Sequence, residues 1–392
     1  MYDMNILLVS SDNNKTSGAF LCLVSLAKYL IEKFNYKVIV TVPKKGDGIE
    51  LLQENNIPYY YVRSFSWITY NGFDIKAIAK TIFKKIAMLY NWRAIRQTSD
   101  IIERENIDII HINTIFSYVG AVAAKLKHKK VVWHIRESLD KGFNSHIVTG
   151  KKGYELINQS DRVIAVSNTV LNEYKNFIHS QIFEVIYDGI DSKFHVPEHK
   201  ILKKQPVVFA CIGALVREKN QLELLKSISK IKDNGITNFK LLLIGDGVME
   251  AQLKSFVNRN QLQNYVEFCG RRKDVDDILK QVDCLFSVSR AEAFGRTMIE
   301  GMLSGCLIVA ADSPDSAARE LIQSGKTGIL YPLGDMSKLA EILRNICLYK
   351  NYQNLQNMAS EGQKEAMMKY SSLTNAEKIR DVYLHICEED QW

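Results

Sequence analysis

Short apolar runs alternate with helical patterns along almost the whole chain. Between the runs, apolar residues recur every three or four positions, as in 19–34 and 117–127. Short continuous apolar runs are typical of buried strands, and their alternation with helices indicates parallel α/β sheets. The pattern predicts strands at 5–10, 37–42, 59–62, 108–112, 130–135, 162–166 and 183–186, and again at 207–212, 240–244, 266–269, 283–288, 307–310 and 328–331.

A segment with Pro and Lys at 195–206 interrupts this alternation, and we expect it to be a linker. It separates residues 1–200 from 206–373, which predicts two tandem, doubly wound, Rossmann-like domains. We expect a last helix, within 374–392, to rejoin the first domain. Open α/β sheets bind ligands at the carboxyl ends of their strands, so two such domains are expected to face each other across a ligand cleft.

The stretch 289–302 has the order strand, tight loop, helix. An apolar strand pattern ends at Val288, and Met298, Ile299 and Met302 follow at helical spacing. Gly295 lies where the chain must turn and allows backbone angles that other residues resist. A helix that starts near Thr297 directs its positive dipole end and unpaired N–H groups at the loop, which favours phosphate binding.

Two carboxylates, Glu292 and Glu300, bracket this turn with seven residues between them. Carboxylates accept hydrogen bonds from hydroxyl groups. A ligand with hydroxyls at both ends and phosphates in the middle, such as a nucleotide sugar, would therefore use both residues and the helix start. The alternative is two solvated glutamates on an ordinary strand–helix unit, and the spacing alone does not decide between them.

Composition and cysteine usage place the protein in the cytoplasm. The 392 residues are 46% hydrophobic and 24% charged, which is ordinary for a soluble protein of two domains. The seven cysteines form no CxxC pair, so we expect reduced thiols and no zinc site. No basic leader and no apolar run of about 18 residues occurs, so we expect a soluble chain or one held at a membrane by its surface.

Positive charge is concentrated in the first half. Residues 1–200 carry 26 Lys and Arg against 20 Asp and Glu, a balance of +6 out of the total of +7. Within it, Phe73–Arg96 has six basic residues and one acidic residue, with apolar residues at largely helical spacing. A basic amphipathic helix favours an anionic membrane surface; the alternative is a solvated helix packed on its own domain. No motif for reading nucleic acid accompanies the charge.

The order of motifs resembles the retaining glycosyltransferases of family 4, which have the GT-B fold, and in particular those of bacterial surface-polysaccharide synthesis. The resemblance covers nearly the whole chain. Its most specific part is Glu-x7-Glu at Glu292 and Glu300. The other matching segments are 213–220, 242–247, 270–274, 304–309 and 325–332.

This resemblance implies transfer of a hexose from a nucleotide diphosphate donor with retention at the anomeric carbon. Glu292 would hold the transferred sugar and Glu300 the ribose. The diphosphate would be bound by Lys219, Arg217, the backbone of Phe294, Gly295 and Arg296, and the helix start at Thr297. The family often has Arg directly after Gly213, where this chain has Ala214, and Arg217 is the candidate to replace it.

Three further positions match family residues around the donor. Arg271 lies in the loop that meets the nucleotide base, Gly18 in the loop that covers the phosphates, and His134 at a position that faces the donor sugar. His134 and Glu292 are therefore the candidate catalytic residues. We interpret Asp274-x-Asp276 as the start of a helix, with Asp274 at the N-cap, and expect neither a metal nor a cofactor.

We expect the acceptor to be a glycan, of the lipid-linked class, and the enzyme to be cytoplasmic and peripheral on the inner face of the plasma membrane. Two rival functions share the scaffold. One is a UDP-sugar epimerase, which would convert the donor without an acceptor. The other is a non-catalytic partner that binds a nucleotide sugar and releases no nucleoside diphosphate.

Overall fold

The structure is a computed structural model that describes residues 4–72, 75–194 and 206–388. Most of the expected linker, 195–205, and Phe73 and Asp74 of the basic segment lie outside the described residues. The chain forms two compact units. Residues up to Gly189 and those from Ser372 onwards make up the first, and Ile190–Ser371 make up the second.

The first unit contains a seven-stranded parallel sheet in the order β3-β2-β1-β5-β6-β8-β9 and a separate antiparallel pair, β4-β7. The strands are β1 (Asn5–Val9), β2 (Lys37–Val42), β3 (Tyr59–Tyr61), β4 (Ile68–Tyr70), β5 (Ile109–Ile112), β6 (Lys130–Ile135), β7 (Ser145–Ile147), β8 (Arg162–Ala165) and β9 (Phe183–Val185). The helices are α1 (Gly18–Glu32), α2 (Gly48–Glu54), α3 (Ile75–Leu89), α4 (Asn91–Arg104), α5 (Val119–Leu126), α6 (Leu139–Phe143), α7 (Lys151–Ile157) and α8 (Asn168–Tyr174).

The second unit has a six-stranded parallel sheet in the order β12-β11-β10-β13-β14-β15. Its strands are β10 (Val207–Ile212), β11 (Phe239–Ile244), β12 (Val266–Gly270), β13 (Cys284–Ser287), β14 (Leu307–Asp312) and β15 (Ile329–Pro332). Its helices are α9 (Gln221–Asp233), α10 (Glu250–Arg259), α11 (Val275–Leu279), α12 (Arg296–Leu303), α13 (Ala318–Leu321), α14 (Met336–Cys347) and α15 (Tyr352–Lys369). The last helix of the chain, α16 (Ser372–Glu388), belongs to the first unit.

The predicted strands are all present, with ends that differ by at most two residues. Their central side chains are buried on both faces, as in Ile6–Leu8 and Val309. Because strands of a covered parallel sheet have no solvated face, they appear in the sequence as continuous apolar runs. The predicted fold class, two Rossmann-like α/β domains, is confirmed.

The basic segment is two helices, α3 and α4, so the prediction of one helix over 73–96 is wrong. Tyr90 separates them, and Asn91 begins α4. Asn91 is fully buried because its amide accepts from the Phe65 N–H at 2.8 Å and donates to the Phe65 carbonyl at 2.9 Å. These two hydrogen bonds anchor the start of α4 to the backbone of Phe65.

Helix α16 completes the core of the first unit. It packs along α1 and buries Ala376, Ile379 and Ile386 in the same cluster as the side chains of β1 and β2. Its Tyr383 hydroxyl lies 2.7 Å from Nδ1 of His111 on β5, and both residues are fully buried. No helix in the described part of the chain is long and apolar enough to cross a membrane.

Candidate functional site

The candidate residues of the second unit follow four neighbouring strands of its sheet. Gly213 follows β10, Gly245 follows β11, Gly270 ends β12, and Glu292 lies in the loop after β13. The carboxyl ends of parallel strands meet at one edge of a sheet, which is where open α/β sheets bind ligands. The fold therefore gathers the loops that follow β10, β11, β12 and β13 at one edge of the sheet.

The turn after β11 requires glycine. Gly245 has φ 138°, and a Cβ atom there would lie 2.0 Å from the carbonyl oxygen of Gly213. Gly247 has φ 158°, and a Cβ there would lie 2.4 Å from the carbonyl oxygen of Leu215. The Gly-Asp-Gly turn thus lets two strand-end loops lie directly against each other.

Lys219 and Glu292 form an ion pair between the loops after β10 and β13. The ammonium group of Lys219 donates to Oε2 of Glu292, and the hydroxyl of Ser289 lies 3.4 Å from the same oxygen. The side chains are 28% and 17% exposed, so the pair is screened only partly from solvent. The structure therefore brings together a cation and a carboxylate that lie 73 residues apart.

The backbone around Glu292 is held on both sides. Its N–H donates to the carbonyl of Asp315 at 3.0 Å, and its carbonyl accepts from Ala317 at 2.9 Å. The N–H of Arg290 donates to the carbonyl of Glu218 at 2.8 Å, and the hydroxyl of Ser313 donates to the Arg290 carbonyl at 2.6 Å. The loop after β14 therefore positions the carboxylate, which the sequence analysis did not foresee.

Helix α12 begins at Arg296, one residue before the predicted start. Gly295 precedes it with φ 93°, a conformation that favours glycine, and Thr297 is the second helical residue. The guanidinium of Arg296 donates from Nε to Oε1 of Glu300 at 2.8 Å. Glu300 is buried, which raises its pKa, while the charge and hydrogen bond of Arg296 act against that rise.

Phe294 anchors the turn rather than exposing its ring. The side chain is buried and meets Tyr370 edge to face at 6.1 Å between ring centroids. Any contact of Phe294 with a ligand would thus use its backbone, as the sequence analysis expected.

Arg217 and Arg271 make contacts away from the Lys219–Glu292 pair. Arg217 lines a pocket of about 400 Å³ whose wall also contains Met249 and Arg290. Arg271 lies 3.0 Å from Asp246 through Nη2, across the ends of β12 and β11. The structure thus places Arg271 at the predicted strand edge, and Arg217 beside a second arginine.

The candidate residues of the first unit follow strands of its own sheet. Gly18 is the first residue of α1, after β1, and the preceding Ser17 donates its hydroxyl to Asp12 at 2.8 Å. His134 lies within β6 and is fully buried. Burial lowers the pKa of His134 well below its ordinary value, with Arg136 acting in the same direction, so the ring is neutral.

A buried charge network surrounds His134. Arg136 pairs with Asp188, and its Nη2 lies 3.1 Å from Nδ1 of His134. A guanidinium can only donate, so Nδ1 accepts and the proton of the neutral ring lies on Nε2. Neither Arg136 nor its pairing with Asp188 was predicted from the sequence.

Glu137 carries a second buried ionisable side chain that was not predicted from the sequence. Its carboxylate accepts from the N–H groups of Ile115 at 3.0 Å and Arg136 at 3.2 Å. Burial outweighs these hydrogen bonds and raises the pKa of Glu137 to about 7. No sequence pattern marked it, because its burial depends on the neighbouring β5 loop.

The Asp274-x-Asp276 motif begins α11, and Asp274 occupies the N-cap position as predicted. Its side chain does not cap the helix. It binds Arg272 instead, with Nε at 2.8 Å from Oδ1. The described residues contain no group of three or more His, Cys, Asp or Glu side chains that could hold a metal ion.

Comparison with known proteins places this site in a family. The family model described as "Glycosyltransferase Family 4" matches residues 16–194, and the one described as "Glycosyl transferases group 1" matches 192–365. Together the two matches cover residues 16–365.

Curated relatives and solved structures agree with these matches. The N-acetyl-alpha-D-glucosaminyl L-malate synthase of Bacillus anthracis is 23% identical over 77% of this chain and 81% of its own length. The UDP-Gal:alpha-D-GlcNAc-diphosphoundecaprenol alpha-1,3-galactosyltransferase of Escherichia coli is 21% identical over 78% of this chain and 82% of its own. Anabaena HepE, solved in complex with UDP, has a TM-score of 0.77 at 23% identity and covers 97% of this chain and 100% of its own.

The paired sheets, the Glu-x7-Glu turn and these matches lead to one conclusion. The chain belongs to the family 4 glycosyltransferases and has the GT-B fold.

Proposed function

We propose that this glycosyltransferase moves a hexose, with retention, from a nucleotide diphosphate donor to a lipid-linked glycan in surface polysaccharide synthesis. The observation that carries the proposal is the placement of Lys219, Glu292 and Glu300 around the start of α12 at one sheet edge. A cation and a helix start suit a diphosphate, and two carboxylates suit the hydroxyls on either side of it.

Each group has a role in donor binding. Lys219 and the start of α12 stabilise the departing diphosphate, as preorganised positive charge that is already in place. Glu300, oriented by Arg296, accepts hydrogen bonds from the ribose. Glu292 accepts hydrogen bonds from the transferred sugar. When a donor binds, the diphosphate replaces Glu292 as the partner of Lys219, and sugar hydroxyls replace Lys219 as the partners of Glu292.

Retention follows if the acceptor attacks from the face that the diphosphate leaves. The leaving phosphate oxygen then takes the proton of the acceptor hydroxyl, and no covalent sugar–enzyme bond forms, so Glu292 is not a nucleophile. His134 stays the candidate that the resemblance assigns to the donor sugar, as a neutral group that is fully buried in the described structure. Positive charge for the leaving group comes from the protein itself, so the proposal includes no metal or cofactor.

The proposed acceptor rests on the relatives and on surface charge. The printed name of the Escherichia coli relative specifies an acceptor linked to diphosphoundecaprenol, whereas that of the Bacillus anthracis relative specifies L-malate. We favour the lipid-linked class because the segment that contains α3 is basic and bears exposed apolar side chains. The enzyme would then work from the cytoplasm at the inner face of the membrane.

Nucleoside diphosphate release across a panel of nucleotide sugars, with and without lipid-linked glycans, tests the proposal. We expect release from one donor to depend on the acceptor and NMR of the product to show the donor's anomeric configuration. Formation of a new nucleotide sugar without acceptor would identify an epimerase instead. Binding without release from any donor would identify a non-catalytic partner.

A further inference from the structure

Helix α3 presents its apolar side chains to solvent. Ile75, Ile78, Ile82, Ile86 and Leu89 recur at intervals of three or four residues and form one face of the helix. Each of these five side chains is more than half exposed, from 51% for Ile86 to 86% for Ile75. In a globular domain the apolar face of a helix normally packs on the core, whereas the apolar face of α3 lies towards the solvent.

The opposite face of α3 packs on the first unit through small and polar groups. Ala87 is buried, and Lys84 is partly buried. The hydroxyl of Thr81 lies 3.0 Å from that of Thr69 on β4. The hydroxyl of Tyr118 donates to the carbonyl of Met88 at 3.3 Å. Helix α3 is thus attached to its own domain through this face, and its apolar row is left exposed among the described residues.

Positive charge flanks the exposed apolar face. The sequence from Ile75 to Ser99 contains six Lys and Arg residues and no Asp or Glu. Lys85, directly before Ile86, is exposed beside the apolar row, whereas Lys80 lies in line with Lys84 and Ala87, with its ammonium group 5.2 Å from the ring centroid of Tyr70. Phe83 and Trp92 add exposed aromatic rings. An apolar row with basic flanks and aromatic side chains is the pattern of helices that lie in a membrane interface.

We propose that α3 docks the enzyme on an anionic bilayer. The row from Ile75 to Leu89 enters the acyl region, and Lys85 beside it lies among the headgroups. A second copy of the chain fits this surface poorly, because pairing two α3 helices would bring four lysines against four others without acidic partners. The inference rests on the proposed function only in that it places the enzyme beside a lipid-linked acceptor.

Vesicle co-sedimentation of the full chain tests the docking surface. We expect binding to vesicles of phosphatidylcholine with phosphatidylglycerol at low salt, and weaker binding to phosphatidylcholine alone or at high salt. The variant Ile78→Gln/Ile82→Gln/Ile86→Gln should bind the vesicles more weakly by a factor of roughly ten or more, because each change removes apolar surface from the bilayer.

The matched control is Leu126→Gln/Met368→Gln/Leu384→Gln, which removes three exposed apolar side chains from other helices. It should bind like the parent. Equal binding of both triple variants, or no binding of the parent at low salt, would overturn the proposal. So would a dimer in solution that only the α3 variant dissociates. Nucleoside diphosphate release with a soluble acceptor should stay unchanged in the α3 variant, which separates a failure of docking from a failure of the proposed transfer.

Discussion

At the scale of single residues, Lys219 and Glu292 form an ion pair at the centre of the proposed donor site. Each compensates the charge of the other across the ends of β10 and β13. Lys219→Met should lower kcat/KM for the donor roughly 10–100-fold, because a hydrogen bond to a charged group contributes about 1.5–3 kcal/mol. Nucleoside diphosphate release measures this.

The matched control for that prediction is Lys226→Met, which removes an exposed lysine from the side of α9. It should leave donor kinetics unchanged. If Lys219→Met behaves in the same way, Lys219 does not bind the diphosphate.

The buried pair of Arg136 and Asp188 makes a prediction about stability. Arg136→Met leaves the Asp188 carboxylate buried without its cation and should lower the free energy of unfolding by about 3–5 kcal/mol. Adding Asp188→Asn should recover much of that loss, since the uncompensated charge is gone. Urea unfolding of the two single variants and the double variant measures this. Changes in the free energy of unfolding that simply add would contradict the prediction.

Glu137 should give the stability a pH dependence. Its pKa is about 7 in the folded chain against an ordinary 4.5, so folding disfavours its ionised form. The resulting penalty is absent below pH 4.5, grows as the pH rises to 7 and is constant above. Glu137→Gln removes it, so the variant should gain about 3 kcal/mol relative to the parent between pH 4.5 and 8.

Urea unfolding of Glu137→Gln and its parent at several pH values checks that prediction. Burial lowers the pKa of His111 to about 3, so this residue favours folding less as the pH falls. His111 is present in both proteins and cancels in the comparison. A difference in unfolding free energy that stays constant with pH would contradict the role assigned to Glu137.

The sequence alone singles out the residues of the proposed donor site but not this buried network. Glu292 and Glu300 bracket one turn, so their spacing and the motif resemblance single them out. Arg136 and Asp188 are 52 positions apart and meet only because β6 and β9 flank β8 in one sheet. Burial of Glu137 likewise depends on contacts with the loop after β5.

At the scale of elements, the turn after β11 tolerates a side chain poorly. Gly245→Ala combines an unfavourable φ of 138° with a backbone clash and should cost about 3 kcal/mol or more. The control Gly235→Ala, at φ 81° with no atom within 4 Å of the new Cβ, should cost about 1 kcal/mol. Equal losses in thermal unfolding would show that the clash is relieved.

Secondary structure could be predicted where the apolar pattern has a single interpretation. Buried parallel strands such as β10 and β14 give continuous apolar runs. The three-residue strands β4 and β7 are too short to give any period. For α3 the period predicts a helix, but it does not tell whether the apolar row faces the core or the solvent, which Thr81 and Ala87 decide by packing inward.

At the scale of the whole molecule, the first unit depends on the end of the chain. Ile379→Ala on α16 opens a cavity in a core shared with β1 and α1 and should cost about 2–5 kcal/mol. Hydrogen exchange should then speed up in peptides from β1 and β2 and remain unchanged in peptides from β10 and β11. Faster exchange in the second unit as well would show that the two units unfold together.

The sequence predicted two domains from a break at 195–206, whereas the compact units divide between Gly189 and Ile190. The N–H of Ile190 donates to the carbonyl of Tyr370 at 2.8 Å, so the two segments that leave the second unit run side by side. Composition marks a linker by its Pro and Lys residues. It does not reveal a backbone hydrogen bond between residues 180 positions apart.

The location of α16 also sets the order in which the protein can fold during synthesis. The sheet of the first unit emerges early, but the residues that close its core, Ile379, Tyr383 and Ile386, are translated after the whole of Ile190–Ser371. At bacterial or eukaryotic elongation rates that delay is on the order of 10–40 s. Throughout it, the apolar side of α1 lacks its partner helix, so the nascent first unit keeps that surface uncovered until the last helix has left the ribosome.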